Sequence, residues 1–129
     1  MEKGIALFEQ ERYEEALTRL QEIHEGEFPD WRVPYYIGSS HMMLQGYEQA
    51  AQSLEQALAL NSQQTGVLYA LGVTHYKLGN LGLAKAYFAA VLNIDPSDQH
   101  AKGLMDIMAD LERQQGDRSP DQAAGKPQS

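Results

Sequence analysis

Cysteine is absent from all 129 residues. That single absence removes disulfides, thiolate metal ligands and cysteine nucleophiles. Long apolar runs are missing too: no stretch approaches the roughly 18 residues a membrane helix needs, and the apolar run inside MEKGIALFEQER is shorter than a secretory signal requires. A cytoplasmic chain with no membrane insertion is expected. Cations are scarce, ten Lys and Arg against eighteen Asp and Glu, for a formal net charge of −8. Affinity for nucleic acid comes from Lys and Arg displacing counterions from phosphates, so that partner class is excluded. Residues 1–30 carry nine acidic side chains against three basic ones, six of the eight excess charges. They read as a solvated helical face, or else as a surface that steers a basic partner.

What is present is ordinary globular material, 43% apolar and 22% charged, enough for one domain with a core. The stretch IGSSHMMLQG poses a local puzzle. Ile37, His41 and Leu44 share a helical side, yet Gly38 sits among them, at a cost of roughly 1 kcal/mol relative to Ala. The glycine recurs: Gly4, Gly38 and Gly72 are 34 residues apart, as are Ala16, Ala50 and Ala84, and Leu20, Leu54 and Phe88. Val33/Val67, Tyr35/Tyr69, His41/His75, Leu44/Leu78 and Leu58/Leu92 repeat at the same offset. The chain is internally duplicated.

Each unit reads as two helices. In the third, Leu68, Leu71, His75 and Leu78 are spaced by three and four, and Leu81, Ala84, Phe88, Val91 and Leu92 follow the same rule after a break at Gly79 and Asn80. Asp95 and Pro96 end the unit, with Pro suited to the first turn of the next element. The glycines then acquire a cause: Gly38 should face Ala50, and Gly72 should face Ala84, so that paired antiparallel helices approach closely. Residues 99–115 place Leu104, Ile107, Met108 and Leu111 on one stripe, a seventh helix that caps the stack. From residue 116 to 129 the periodicity gives way to Pro, Gly, Ser and Gln, which predicts a disordered tail.

Leu68, Leu71, Gly72, Tyr76, Gly79, Ala84, Phe88 and Pro96, at these spacings, resemble a tetratricopeptide repeat, and the second and first units resemble it with more departures. The resemblance implies an all-α fold, a right-handed α-solenoid of three helix-turn-helix units at 1–30, 31–64 and 65–98, closed by the capping helix at 99–115. Departures fall in the loops: Ser62 and Phe28 stand where the third unit has Pro96, and Gln45 and Glu11 where it has Gly79. The first unit is short at its start, as in a fragment or a clipped cap.

Chemistry finds little support. His41 and His75 hold equivalent places in different helices rather than the i, i+4 spacing of a ligand pair, and no third ligand completes a set, so no metal is expected. A hydrogen-bonded core histidine fits better. LGNLG lies in a turn between helices with no strand before it, unlike a phosphate loop. Glu14 with Glu15, and Asp106 with Asp110, lie on exposed faces with nothing to raise a pKa. A non-catalytic chain without cofactors is expected.

In the resembled family the first helix of each unit lines a concave face that holds peptide segments. That implies a groove from Ile5, Phe8 and Glu9 in the first unit, Arg32, Tyr35, Tyr36, Ser39, Met42 and Met43 in the second, and Gly66, Tyr69, Val73, Tyr76 and Lys77 in the third. Tyr gives large contact area with few rotors and Met adapts its shape, so a protein or peptide partner is expected. Such stripes also suit a core, and Tyr76 and Met42 fit either place. Repeat domains that clamp the C-terminal carboxylate of heat-shock chaperones use Lys, Asn and Arg. The equivalent positions here, Met1, Ile5, Tyr36, Gly66 and Ala70, provide none of these. Two other roles fit the same architecture: a self-assembly module forming homo-oligomers, and a small acidic chaperone similar to class II of type III secretion.

Overall fold

The 34-residue period reappears as a spacing of turns. In the computed structural model, which describes residues 1–23 and 29–117, the elements are α1 (Glu2–Glu9), α2 (Tyr13–Gln21), α3 (Arg32–Met43), α4 (Tyr47–Leu60), α5 (Thr65–Lys77), α6 (Leu81–Ile94) and α7 (Gln99–Asp117). Glu11, Gln45 and Gly79 all adopt left-handed backbone, with φ of 61°, 67° and 83°. Each ends its helix in the same way. The N–H groups of Arg12, Gly46 and Asn80 reach back to the carbonyls of Leu7, His41 and His75 at 2.9, 2.7 and 2.8 Å, and those of Glu11, Gln45 and Gly79 reach Phe8, Met42 and Tyr76. This is a Schellman stop, which satisfies orphan carbonyls and reverses the chain. Only the third unit uses glycine there; the others hold a side chain in a conformation that costs L-residues roughly 1–2 kcal/mol.

Among the described residues the N-cap positions of α1 to α6 supply no side-chain cap hydrogen bond; at α3 the Asp30 carboxylate, one residue before that position, accepts the Arg32 N–H at 2.9 Å. Helices this short are marginal alone, so packing of the apolar faces must hold them. The buried positions follow helical spacing: Ala16 and Leu20 on α2, Ala50, Leu54 and Ala57 on α4, Ala84, Phe88 and Val91 on α6. α5 lies between α4 and α6 and also meets α3, and it buries Val67, Leu68, Ala70, Leu71, Gly72, Thr74 and His75. One cluster joins α4 to α5 through Leu54, Val67 and Leu71. A second joins Leu68, Val91 and Ala101, and a third joins Ala84, Phe88 and Met108. Consecutive helices pack in pairs, and the contacts that skip an element run from α1 to α3 and from α3 to α5. The odd-numbered helices therefore form one layer and the even-numbered ones back it.

The repeated glycines face a different partner from the one expected. A Cβ on Gly4 would lie 2.6 Å from Leu20 Cγ, on Gly38 2.7 Å from Leu54 Cγ, and on Gly72 2.5 Å from Phe88 Cε1. The nearest neighbour in each case is the large residue sixteen positions on rather than the alanine at twelve. Ala50 comes second at Gly38, through its carbonyl oxygen at 3.1 Å. Each glycine is thus a notch that receives a bulky side chain of the next helix.

Two other expectations change. Pro96 lies in the exposed connection before α7 rather than in its first turn. The helix is started by Asp98, whose Oδ1 accepts the Ala101 N–H at 2.9 Å, an N-cap. On α7 the inward stripe is Ala101, Leu104, Met105, Met108 and Leu111, whereas Ile107 is 48% exposed. α7 also extends through Asp117, so residues 116 and 117 of the expected tail are helical, and 118–129 lie outside the described residues.

Candidate functional site

A groove of about 460 Å³ is lined by Phe8 of α1, by Tyr35, Ser39 and Met42 of α3, by Thr65, Gly66, Tyr69 and Ala70 of α5, and by Asp98 and His100 at the start of α7. All come from odd-numbered helices or the turn into α7. None comes from α2, α4 or α6. Tyr35 and Ser39 are one helical turn apart, as are Gly66 and Ala70, which puts each pair on one helical side. The groove opens to solvent past exposed Gly66 and His100.

Its walls are aromatic and mutually braced. Phe8 meets Tyr36 edge-on with centroids 5.3 Å apart, Tyr36 meets Tyr35 at 5.0 Å, and Tyr35 meets Trp31 at 5.7 Å. Tyr69 packs against Phe88 of the core on one side and His100 on the other. Burial raises the Tyr35 phenol above its ordinary pKa, partly offset by the nearby Ser39 hydroxyl, so it stays a neutral hydroxyl. Met42 lines the groove, and its Sδ accepts the Thr74 hydroxyl of α5 at 3.1 Å.

The remaining sequence-derived positions separate. Arg32 is exposed and held by Asp30, with Nη2 to Oδ2 at 2.6 Å and Nε within 3.0 and 3.2 Å of the two oxygens. The hydrogen bonding holds the Asp30 carboxyl below the usual carboxylate range and raises the guanidinium. Val73 packs on the Ala84, Phe88 and Met108 cluster. Tyr76 and Lys77 are exposed at the end of α5, outside the groove lining, and Ile5 is half-buried on α1. Asp98 and His100 were not foreseen. Extending the repeat would have found His100, because Arg32, Gly66 and His100 are themselves 34 residues apart.

The histidines sit in separate surroundings. His75 is buried, its ring stacks on Tyr87 at 5.6 Å, and its Nδ1 lies 3.2 Å from the Asn80 amide. His41 is half-buried, and that burial lowers its pKa. Among the described residues no group of three or more His, Asp or Glu side chains is placed to hold a metal ion. Glu15 is engaged by Arg12 at 2.6 Å on the surface.

Comparison with known proteins agrees with this architecture. The tetratricopeptide repeat model matches residues 43–107. The first such domain of Spaghetti (RPAP3), solved bound to the HSP90 peptide SRMEEVD, superposes with a TM-score of 0.82 at 23% identity, covering 87% of this chain and 89% of that one. The first such domain of human RPAP3 gives 0.81 at 22% identity, covering 92% and 93%. The peptidyl-prolyl cis-trans isomerase FKBP4 of Mus musculus is 26% identical over 88% of this chain. The chain spans only 28% of the length of that relative.

Proposed function

The chain belongs to the tetratricopeptide repeat family, and we propose that it works as a non-catalytic interaction scaffold, holding a peptide segment of another protein in the groove between its odd-numbered helices. The observation that carries this reading is the lining itself. Phe8, Tyr35, Met42 and Tyr69, separated by up to 61 positions in the chain, converge on one open groove while the even-numbered helices keep their apolar faces for the core. Aromatic and Met side chains braced by neighbours lose little entropy when a peptide covers them.

Neighbouring folds solved with HSP90 or HSP70 peptides support a peptide as the ligand class. The chaperone-carboxylate clamp is a poor fit, because Met1, Ile5, Tyr36, Gly66 and Ala70 stand at its positions and offer no cation. A pull-down with the full chain beside a Tyr36→Glu/Tyr69→Glu double variant, shown to be folded by circular dichroism, tests the reading. Capture by the wild type and loss by the variant supports the groove. Equal capture by both places the binding surface elsewhere, and a mass that rises with concentration with no captured protein favours self-association.

A further inference from the structure

We infer that the segment the groove holds is cationic, with a Lys or Arg that meets Asp98 and lies against Tyr69 while apolar side chains cover Phe8 and Met42. This deepens the groove reading above and rests on it. The lining contains one formal charge, the Asp98 carboxylate, and no Lys or Arg. Its Oδ1 is occupied by the Ala101 N–H, and among the described residues no donor meets Oδ2. Arg32, the cation that the repeat places in register with Gly66 and His100, is bound by Asp30 and stays out of the lining. An incoming carboxylate would therefore meet a negative charge with no cation beside it, inside a chain whose net charge is −8. An ammonium or guanidinium finds the opposite: a carboxylate oxygen without a donor, and tyrosine rings whose faces attract cations.

The test is a phage-displayed random dodecamer library, with peptide C-termini fused so that none is free, selected on the full chain at about pH 8, where ordinary histidines are neutral. Selected sequences are remade with amidated C-termini and measured by anisotropy against three proteins. The first is the wild type. The second is Asp98→Asn, which keeps the cap acceptor and removes the charge. The third is Gly66→Trp, which fills the groove from an exposed position whose Cβ would meet only the Tyr35 phenol, at 3.6 Å.

The expected result is an excess of Lys and Arg over Asp and Glu, binding lost on Gly66→Trp, and affinity reduced about three- to fivefold on Asp98→Asn at low salt, as for one partly exposed ion pair. That reduction should shrink at high salt, where exposed charges are screened. Peptides that are lost on Gly66→Trp but are neutral or acidic, or that bind Asp98→Asn unchanged, leave the groove standing and overturn the charge inference. Peptides that bind Gly66→Trp as well as the wild type, or no selection at all, sink the groove reading and this inference together.

Discussion

Replacing Gly72 by Ala pits two effects of known sign against each other. In an open helix interior the change stabilises by about 1 kcal/mol, because Ala loses less conformational freedom. Here the new Cβ would sit 2.5 Å from Phe88 Cε1 and 2.8 Å from Cδ1 and Cζ. Carbon pairs prefer about 3.5–4.0 Å, so the ring would have to retreat by about 1 Å. Phe88 is fully buried and packs with Ala84 and Met108, and Tyr69 lies on it, so there is no space to retreat into. Overpacking of this kind costs about 1–3 kcal/mol, which leaves Gly72→Ala about 1 kcal/mol less stable than wild type and Gly72→Leu worse by a few kcal/mol more. Gly103→Ala is the control, because it makes the same chemical change in α7 with nothing within 4 Å of the new Cβ. It should gain about 1 kcal/mol. Urea unfolding followed by helical circular dichroism reads both, and a Gly72→Ala variant that gains stability as Gly103→Ala does would refute the notch.

Three further outcomes are expected. Gln45→Gly should stabilise by about 0.5–1 kcal/mol in the same assay, since it relieves a side chain held at a φ of 67°, whereas Gly79→Ala should lose a similar amount. Asp98→Ala should cost about 1 kcal/mol through loss of the α7 cap, and Asp98→Asn much less, because Asn caps as well as Asp; equal losses would show that the cap is idle. Burial lowers the His41 pKa, so the unfolded chain binds its proton first as pH falls. His41 therefore costs stability once pH drops through the ordinary histidine value of about 6.5, and stability is regained as pH rises; His41→Gln should flatten the melting temperature over that window.

The helices were legible because the core needs apolar residues at helical spacing and the repeat needs its turns at a fixed interval, and both leave marks in the chain. Gly4, Gly38 and Gly72 marked close approach correctly. Their partner was misread because the residue opposite a glycine depends on how two antiparallel helices are offset, and a shift of one helical turn exchanges Ala84 for Phe88. Ile107 was misplaced for a related reason. On a helix of nineteen residues with Leu104, Met105, Ile107, Met108 and Leu111 all apolar, two adjacent stripes compete, and the position of α6 decides between them. His100 was legible by extending the repeat from Arg32 and Gly66, whereas Asp98 reaches the groove from the turn into α7, a position that composition does not record.

The aromatic lining also sets how the site can be probed. Tyr36 packs on both Phe8 and Tyr35, behind the groove lining, and Tyr69 lines the groove while leaning on Phe88, so these rings help hold the helices together as well as shaping the groove. Removing one takes away contacts in the folded chain, and each aromatic pair contributes about 0.5–1.5 kcal/mol beyond its buried area. A loss of binding on changing a tyrosine is therefore ambiguous unless stability is measured beside it. Gly66 escapes that coupling: it is exposed, it sits at the second position of α5, and an added side chain has room to extend into the groove rather than into the core. Filling the groove from Gly66 thus separates a binding surface from a merely structural aromatic layer, because only the first would lose its ligand while the helices melt where they did before.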